Sequence, residues 1–298
     1  MVATQDAGHA GAARVAAGTA RAIWTHPENR GVRGRRLARW LAWQAWQRTV
    51  RSPWTIRLHG DVRMICHPHD HITSMAMYYG LYDRAEMRFL LAWLRPGDTF
   101  LDVGANVAPY SLLATEIQGV RAVAFEPGTL AQARARANIA RNRAEAAVRL
   151  APVAVGDEDG EAVLTADRWA TNALADAGYV GEVERVTIVR LDTYTADHGI
   201  DGVRLIKIDV EGHEPAVLRG AAGLLAHERP ALIVEVNDVD ALRGVAEGLG
   251  YTRVAYDADT GLLAPDPWPD RPGGNTILVP DLAAATARLA GEGAAAAH

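Results

Sequence analysis

Cysteine is almost absent from the 298 residues, with Cys66 as its single occurrence. A lone cysteine excludes an intramolecular disulfide and any metal site built from several thiolates. The sequence also lacks an apolar run of the roughly 18 residues that a membrane-spanning helix needs. Its beginning lacks the continuous apolar stretch of a signal peptide. We therefore expect a soluble, cytoplasmic protein with no transmembrane segment.

Lysine is equally scarce, because Lys207 is the only lysine among 31 basic residues and all the others are arginines. A lysine retained in such a sequence indicates that its chemistry is needed at that position. The composition is otherwise ordinary, with 49% hydrophobic and 22% charged residues. It predicts one large globular α/β domain with an appended arm. The formal net charge of -5 gives no overall electrostatic argument for a nucleic-acid partner, and none is expected.

The first 60 residues are predicted to form an N-terminal arm. Residues 1–30 have no clear apolar period, which predicts a mobile or loosely attached segment. From Arg33 to Val50, tryptophans and leucines recur at helical spacing among arginines, which predicts a basic amphipathic helix. This helix could bind a membrane surface or a partner. We favour a tryptophan stripe that packs on the core or across a homodimer interface.

Residues 61–280 are predicted to form the main domain, in which short apolar strands alternate with helices as in a doubly wound, mostly parallel sheet. A β-hairpin is expected over 55–58 and 62–66. Strands are expected near 99–103, 121–125, 148–155, 204–208 and 231–236, and helices near 84–94, 109–117, 129–142 and 214–226. An antiparallel pair near 251–255 and 276–279 closes the sheet.

Two further segments lie outside that alternation. Residues 158–200 predict an insertion that forms a lid or a substrate wall, with Trp169, Asn172 and Tyr179 suited to polar and stacking contacts. The alanine-rich tail, 281–298, predicts a short helix that frays.

The strongest motif is Asp102-Val-Gly104-Ala-Asn106, which follows an apolar run and precedes a helix that begins at Pro109. In doubly wound sheets, ligands bind just beyond the carboxyl ends of the strands, and a glycine there lets the backbone approach the ligand closely. The next predicted strand ends at Glu126, whose carboxylate can accept both hydroxyls of a ribose. The alternative is that Asp102 and Glu126 only cap helices.

The glycines of this motif distinguish between nucleoside cofactors. A dinucleotide's pyrophosphate needs the pattern G-x-G-x-x-G, but here Asn106 and Pro109 occupy the positions of the second and third glycines. A cofactor that has a ribose but no phosphate tolerates those side chains. S-adenosylmethionine (SAM) fits this description.

A third motif, Lys207-Ile-Asp209-Val-Glu211-Gly-His213, ends another predicted strand in a cluster of ionisable groups. Strand alternation places Lys207 and Asp209 on the same face. The following strand ends in Glu235 and Asn237, so side chains from neighbouring strands are expected to converge at one edge of the sheet.

The chain resembles the FkbM family of SAM-dependent methyltransferases. The resemblance extends from about residue 82 to residue 279. It is carried by Leu101–Asn106, Ala124–Pro127 followed by Asn138 and Asn142, Leu191–Asp192, Ile206–Gly212 and Val234–Asn237. It implies a class I, Rossmann-like methyltransferase fold and methylation of hydroxyl groups, often on sugars or polyketides. The family usually has glycine where this chain has Ala108, which narrows the space beside the methionine part of the cofactor.

We assign cofactor binding to residues of the three motifs and to one further acid. These residues are Asp102, Gly104, Asn106, Tyr110, Ser111, Glu126, Asp157 and Asp209. The acceptor is expected to be a small molecule.

Methyl transfer to a hydroxyl needs a group that removes the proton. His213 is the first choice as general base, because the pKa of a histidine is naturally near neutral. Lys207 and Glu235 are the alternatives, unless they form an internal ion pair. Mg²⁺ is a less favoured route, with Asp209, Glu235 and Asn237 as its ligands. The histidines His67, His69 and His71 are interpreted as exposed loop residues.

Two other functions compete with methyl transfer. An NAD-dependent oxidoreductase would share the fold, but the missing glycines argue against it. A non-catalytic adaptor that retains the SAM site would use the arginine-rich arm to bind a partner.

Overall fold

The structure, a computed structural model, describes residues 3–68, 70–165, 173–174 and 179–291, with side chains described from residue 14 onward except that of His71. The chain divides into two compact units, residues 1–82 and residues 83–298. The first unit therefore extends beyond the 60 residues that were predicted as an arm.

The described residues of the first unit form three α-helices, a short 3-10 helix (Pro27–Asn29) and one hairpin. Its elements are α1 (Ala3–Thr25), α2 (Arg33–Thr49), β1 (Trp54–His59), β2 (Val62–Cys66) and α3 (His71–Tyr79). The strands β1 and β2 pair antiparallel, as predicted. Helix α3 begins after Asp70, whose side chain accepts a hydrogen bond from the backbone N of Thr73 at 3.1 Å.

The prediction that residues 1–30 are loosely attached is wrong for the end of α1 and for the turn that follows it, up to Asn29. Ile23 is fully buried, and the buried side-chain amide of Asn29 donates to the carbonyl oxygens of Ile23 and Tyr78. A buried amide with two partners ties the end of α1 to α3. The alanine- and glycine-rich composition of this segment gave no apolar period from which the helix could be predicted.

The tryptophans of α2 pack inside the first unit. Trp43 is fully buried, and the rings of Trp43 and Trp46 lie 6.1 and 5.8 Å from that of Trp54. The indole N–H of Trp46 donates to the carbonyl of Ser52 at 2.8 Å. The tryptophan stripe therefore serves packing, as favoured from the sequence. A homodimer through this helix stays a prediction.

The second unit is built on an eight-stranded sheet. Its strands are β3 (Thr99–Val103), β4 (Arg121–Phe125), β5 (Val148–Ala151), β9 (Val203–Ile208), β10 (Ala231–Glu235), β11 (Thr252–Tyr256), β12 (Leu263–Pro265) and β13 (Asn275–Val279). Their order in the sheet is β12-β11-β13-β10-β9-β3-β4-β5. The five strands from β10 to β5 are parallel, and β13 is antiparallel to β10 and β11. The predicted doubly wound sheet with an antiparallel C-terminal strand is confirmed.

The second unit also contains helices, most of which connect these strands. They are α4 (Arg84–Trp93), α5 (Pro109–Ala114), α6 (Thr129–Asn142), α7 (Leu191–Asp197), α8 (Glu214–Gly220), α9 (Ala222–Glu228), α10 (Val239–Gly248) and α11 (Leu282–Leu289). The chain runs from β3 outward through β4 to β5 and then returns to β9 on the other side of β3. The strand order thus reverses beside β3, which is where doubly wound sheets bind ligands.

Several predicted boundaries are wrong. The strand predicted over 148–155 breaks at Pro152, and its second half, β6 (Ala154–Val155), joins a separate three-stranded sheet. The helix predicted over 214–226 is two helices that meet at Ala221. Helices α3, α7 and α10 were not predicted.

The insertion contains the other two strands of the small sheet, β7 (Gly160–Thr165) and β8 (Val183–Val189). Trp169 and Asn172 lie outside the described residues, so the proposed lid contacts stay a prediction. Among the helices of the described residues, none is both long and apolar enough to cross a membrane.

Candidate active site

Gly104 makes the turn that follows β3. Its φ is +78°, and a Cβ built on it would lie 1.8 Å from the carbonyl oxygen of Asp209, so no side chain fits there. The backbone N–H groups of Gly104 and Ala105 donate to the carbonyl of Phe125 at 3.0 and 2.9 Å. These contacts bring the tips of β3, β4 and β9 together around one glycine.

The loop after Gly104 adopts left-handed backbone twice before α5 begins. Asn106 has a φ of +49° and Ala108 a φ of +63°. Asparagine tolerates this region, whereas alanine there costs about 1–2 kcal/mol, which accounts for the glycine that the FkbM pattern usually has at this place. The buried amide of Asn138 holds the loop by donating to the carbonyl of Val107 at 3.0 Å.

Glu126 lies at the tip of β4 and is only 8% exposed. Its carboxylate accepts hydrogen bonds from the backbone N–H of Asn106 at 2.8 Å and of Gly128 at 2.7 Å. Burial raises the pKa of Glu126 to about 7, although both backbone hydrogen bonds oppose the shift. This carboxylate thus connects the β3 and β4 loops and retains lone pairs that can accept from two further hydroxyls.

Asp102 has a structural task. It is 1% exposed and accepts hydrogen bonds from the backbone N and the hydroxyl of Ser111 at 3.0 and 2.7 Å. Because Ala108 cannot cap α5 with its own side chain, Asp102 caps the helix from β3. The structure therefore contains the capping contact, which also engages Ser111. A role of Asp102 and Ser111 in cofactor binding stays a prediction.

Lys207 is buried at the centre of a charged network. Its ammonium donates to Asp209 at 2.7 Å and lies 4.9 Å from the centre of the Tyr110 ring. Burial alone would lower the pKa of Lys207, but the nearby charges of Asp209 and Asp102 outweigh burial and raise it. Lys207 is therefore a cation at neutral pH and forms the internal ion pair that the sequence left open.

Asp83 is a site residue that sequence reasoning missed. It stands at the N-cap of α4, yet its side chain makes no cap hydrogen bond there. Its side chain accepts instead a hydrogen bond from the Tyr110 hydroxyl at 2.9 Å. That contact fixes the Tyr110 ring beside the Lys207 ammonium. The available signal was an aspartate directly before a predicted helix, which ordinarily indicates only capping.

Three carboxylates meet where β9 and β10 end. One oxygen from each of Asp209, Glu211 and Glu235 lies within 4.8 Å of the others. Burial and the charge of Asp209 raise the pKa of Glu235 to about 8. Asn237 donates to Glu235 at 2.6 Å. The predicted convergence of strand tips is therefore observed, and Glu211 joins the predicted residues.

Glu214 is another site residue that sequence reasoning missed, and it holds the loop that follows β9. It is 1% exposed, and one of its oxygens accepts from the backbone N of Val210 and Gly212 at 3.2 and 3.0 Å. The same oxygen accepts from the Asn237 amide at 3.1 Å. It therefore connects the loops that follow β9 and β10.

Two predicted residues lie toward α8. His213 is the N-cap residue of α8, partly exposed, and makes no side-chain cap bond. Asp157 forms an exposed ion pair with Arg219 at 2.8 Å, and that contact lowers the pKa of Asp157. Three histidines were interpreted from the sequence as exposed loop residues. Of these, His71 is instead the first residue of helix α3, and His69 lies outside the described residues.

The strand order and the converging strand tips define a Rossmann-like domain. A family model described as the methyltransferase FkbM domain matches residues 102–251. A curated relative, the 31-O-demethyl-FK506 methyltransferase FkbM of Streptomyces tacrolimicus, is 34% identical over 198 residues, which are 54% of this chain and 75% of the relative. The chain belongs to the FkbM methyltransferase family, as the sequence motifs predicted.

Solved structures resemble the chain more distantly. The methyltransferase FkbM of Methylobacillus flagellatus gives a TM-score of 0.43 at 15% identity, with 80% of this chain covered. That match spans 58% of the solved chain. The O-methyltransferase of Bacillus cereus, solved in complex with SAH, gives 0.39 at 14% identity over 65% of this chain and 79% of the other.

Proposed function

We propose that this chain is a SAM-dependent O-methyltransferase that acts on a hydroxyl of a small molecule, such as a sugar or a polyketide-type natural product. The observation that carries the proposal is Glu126, a buried carboxylate that already ties the β3 and β4 loops and can still accept two hydroxyls. A ribose held at this point places the rest of the nucleoside over Gly104.

The loop geometry favours SAM over NAD. A pyrophosphate needs several backbone N–H groups that are free of side chains, yet Asn106 and Ala108 carry side chains here and Pro109 has no N–H. SAM has no phosphate and makes no such demand. An NAD-dependent oxidoreductase is therefore the weaker proposal.

The oxygen acceptor is proposed by analogy with the curated relative from Streptomyces tacrolimicus. Its name states transfer to an oxygen, at position 31-O of demethyl-FK506. A non-catalytic adaptor would need no proton acceptor beside the site, whereas this site contains Glu235 with a pKa of about 8. That carboxylate favours an enzyme over an adaptor.

The chain's own residues would act by position and by proton transfer. SAM supplies an electrophilic methyl group when it is bound. Lys207, Tyr110 and Asp83 hold Asp209 in place beside Gly104, so we reassign Lys207 from candidate base to positioning cation. Orientation of the reacting groups supplies up to roughly 7–11 kcal/mol in favourable cases.

Glu235 is our choice as general base. Its raised pKa makes it a stronger base than an ordinary carboxylate, and it takes a proton from a hydroxyl in its deprotonated form, which predominates above about pH 8. A base of this kind contributes about 10² to 10⁴ in rate. His213, the first choice from the sequence, stays the second candidate. The oxygens of Asp209, Glu211 and Glu235 also suit a hard cation, so Mg²⁺ dependence is part of the test.

Isotope-labelled SAM offered with 31-O-demethyl-FK506 and a panel of sugar and macrolide alcohols tests the proposal. We expect a methyl ether by mass spectrometry, and a rate that rises as pH increases through about 8, because the base is active when deprotonated. Glu235→Gln should lower kcat by about 10² to 10⁴. Glu247→Gln, which removes an exposed carboxylate of α10, is the matched control. Assays with EDTA and with added Mg²⁺ report metal dependence.

Methyl transfer only to nitrogen or carbon would contradict the acceptor assignment. A Glu235→Gln enzyme with the wild-type rate and pH profile would reject Glu235 as the base.

A further inference from the structure

Helix α2 carries an unusual group of arginines, which we call the α2 arginine surface. It consists of Arg33, Arg35, Arg36, Arg39 and Arg48. Within the described part of the chain, none of the five forms an ion pair with a carboxylate. The charge of Glu28 acts on Arg36 without forming an ion pair with it, so the five guanidinium groups are not neutralised by direct contact with a carboxylate.

Their contacts are with uncharged groups. Arg36 and Arg39 both donate to the carbonyl of Met77 near the end of α3, and Arg48 donates to the carbonyl of Gln44 within α2. The guanidinium of Arg33 lies 5.6 Å from the centre of the Trp24 ring. Because carbonyl oxygens and rings do not neutralise a cation, the positive charge of this surface is not cancelled by its contacts.

The second unit treats its arginines differently. Among the described residues of that unit, at least nine arginines are paired with carboxylates: Arg84, Arg121, Arg185, Arg190, Arg204, Arg219, Arg243, Arg253 and Arg288. Residues 1–82 carry eleven arginines and four acids, a formal charge of +7, although the whole chain is at -5. The positive charge of the chain is therefore concentrated in the first unit.

Large apolar side chains are exposed on α2 and in the segments before and after it. Trp24 is 49% exposed, Leu41 59% and Val50 50%. Leu41 lies within α2 between the arginines, and Trp24 stacks with Arg33. Exposed tryptophan and aliphatic side chains beside arginines fit the interfacial region of a lipid bilayer, whereas a nucleic acid offers little that rewards exposed leucine and valine.

We propose that the α2 arginine surface binds an anionic lipid surface. Arg35 and Arg48, which are both exposed, contact lipid phosphates, and Trp24 and Leu41 enter the headgroup region. Each arginine near such a surface strengthens binding several-fold, and salt weakens it. This binding is independent of methyl transfer and is tested separately.

Co-sedimentation of the full-length chain with vesicles tests the proposal. Vesicles of phosphatidylcholine mixed with phosphatidylserine should sediment the protein, and pure phosphatidylcholine vesicles should not. Arg35→Glu/Arg48→Glu should weaken the binding by on the order of tenfold or more. Arg141→Glu/Arg185→Glu changes the net charge equally on exposed residues of the second unit and should bind like wild type.

Several outcomes would overturn the proposal. They are equal binding to both vesicle types, equal loss in both double variants, or a Trp24→Ala chain that binds like wild type. Tighter binding to single-stranded RNA than to vesicles would assign the surface to nucleic acid instead. Circular dichroism checks that the variants are folded. Arg35→Gln/Arg48→Gln replaces the charge reversal if the reversal lowers the melting temperature.

Discussion

Glu126→Gln should weaken the binding of S-adenosylhomocysteine by about 10²-fold or more. The wild-type carboxylate accepts from two backbone N–H groups and, in the proposed complex, from the ribose hydroxyls. In the substituted glutamine side chain, the amide NH₂ group cannot accept from a backbone N–H, so one of the two hydrogen bonds is lost. Hydrogen bonds to a charged acceptor contribute about 1.5–3 kcal/mol each. Isothermal titration calorimetry measures the change.

Glu184→Gln is the matched control for this variant. Glu184 is a neighbouring carboxylate that accepts from the hydroxyl of Thr129 at 2.5 Å, directly after the same loop. It shares the local charge but contacts Thr129, whereas Glu126 contacts Asn106 and Gly128 in the two loops, so its change should alter the dissociation constant only a few-fold. Equal effects of the two substitutions would mean that local charge, and not the ribose contact, controls binding.

Gly104→Ala should have the largest effect on stability. The added Cβ would lie 1.8 Å from the Asp209 carbonyl and at a φ of +78°, so β3 and β9 must separate or the loop must refold. Clashes of this kind cost on the order of 4 kcal/mol or more, which lowers the melting temperature by roughly 10 °C in a chain of this size. Thermal unfolding followed by circular dichroism measures this.

Gly97→Ala is the control for Gly104→Ala, because it separates the effect of the steric clash on stability from the effect of backbone strain. Gly97 has a φ of +91° but no atom within 4 Å of the position where its Cβ would be, so the substitution pays only the conformational cost of about 1–2 kcal/mol. If both alanine variants lose the same stability, the close approach of Gly104 to β9 is not what holds the strand tips together.

The sequence was sufficient to predict those site residues whose proximity depends on strand order alone. Parallel strands end at the same edge of a sheet, so Gly104, Glu126, Asp209 and Glu235 had to come near one another once five strands were recognised. Strand alternation also placed Lys207 beside Asp209, and the structure joins them at 2.7 Å. These contacts follow from periodicity and needed no knowledge of packing.

Contacts set by side-chain direction could not be predicted in this way. Asp83 precedes α4 and looks like an ordinary cap, but it points to Tyr110 because the packing of α4 against α5 brings that hydroxyl within reach. Glu214 resembles any acid in a first helical turn, yet it is buried under a loop that only folding creates. Such roles depend on tertiary packing, which no local pattern records.

The proposed function depends most on the binding of a nucleoside without phosphate between Gly104 and Glu126. Calorimetric titration of the purified chain with S-adenosylhomocysteine and, separately, with NAD tests this directly. We predict heat of binding with S-adenosylhomocysteine and none with NAD. Binding of NAD, or no heat with S-adenosylhomocysteine from a folded chain, would contradict the account.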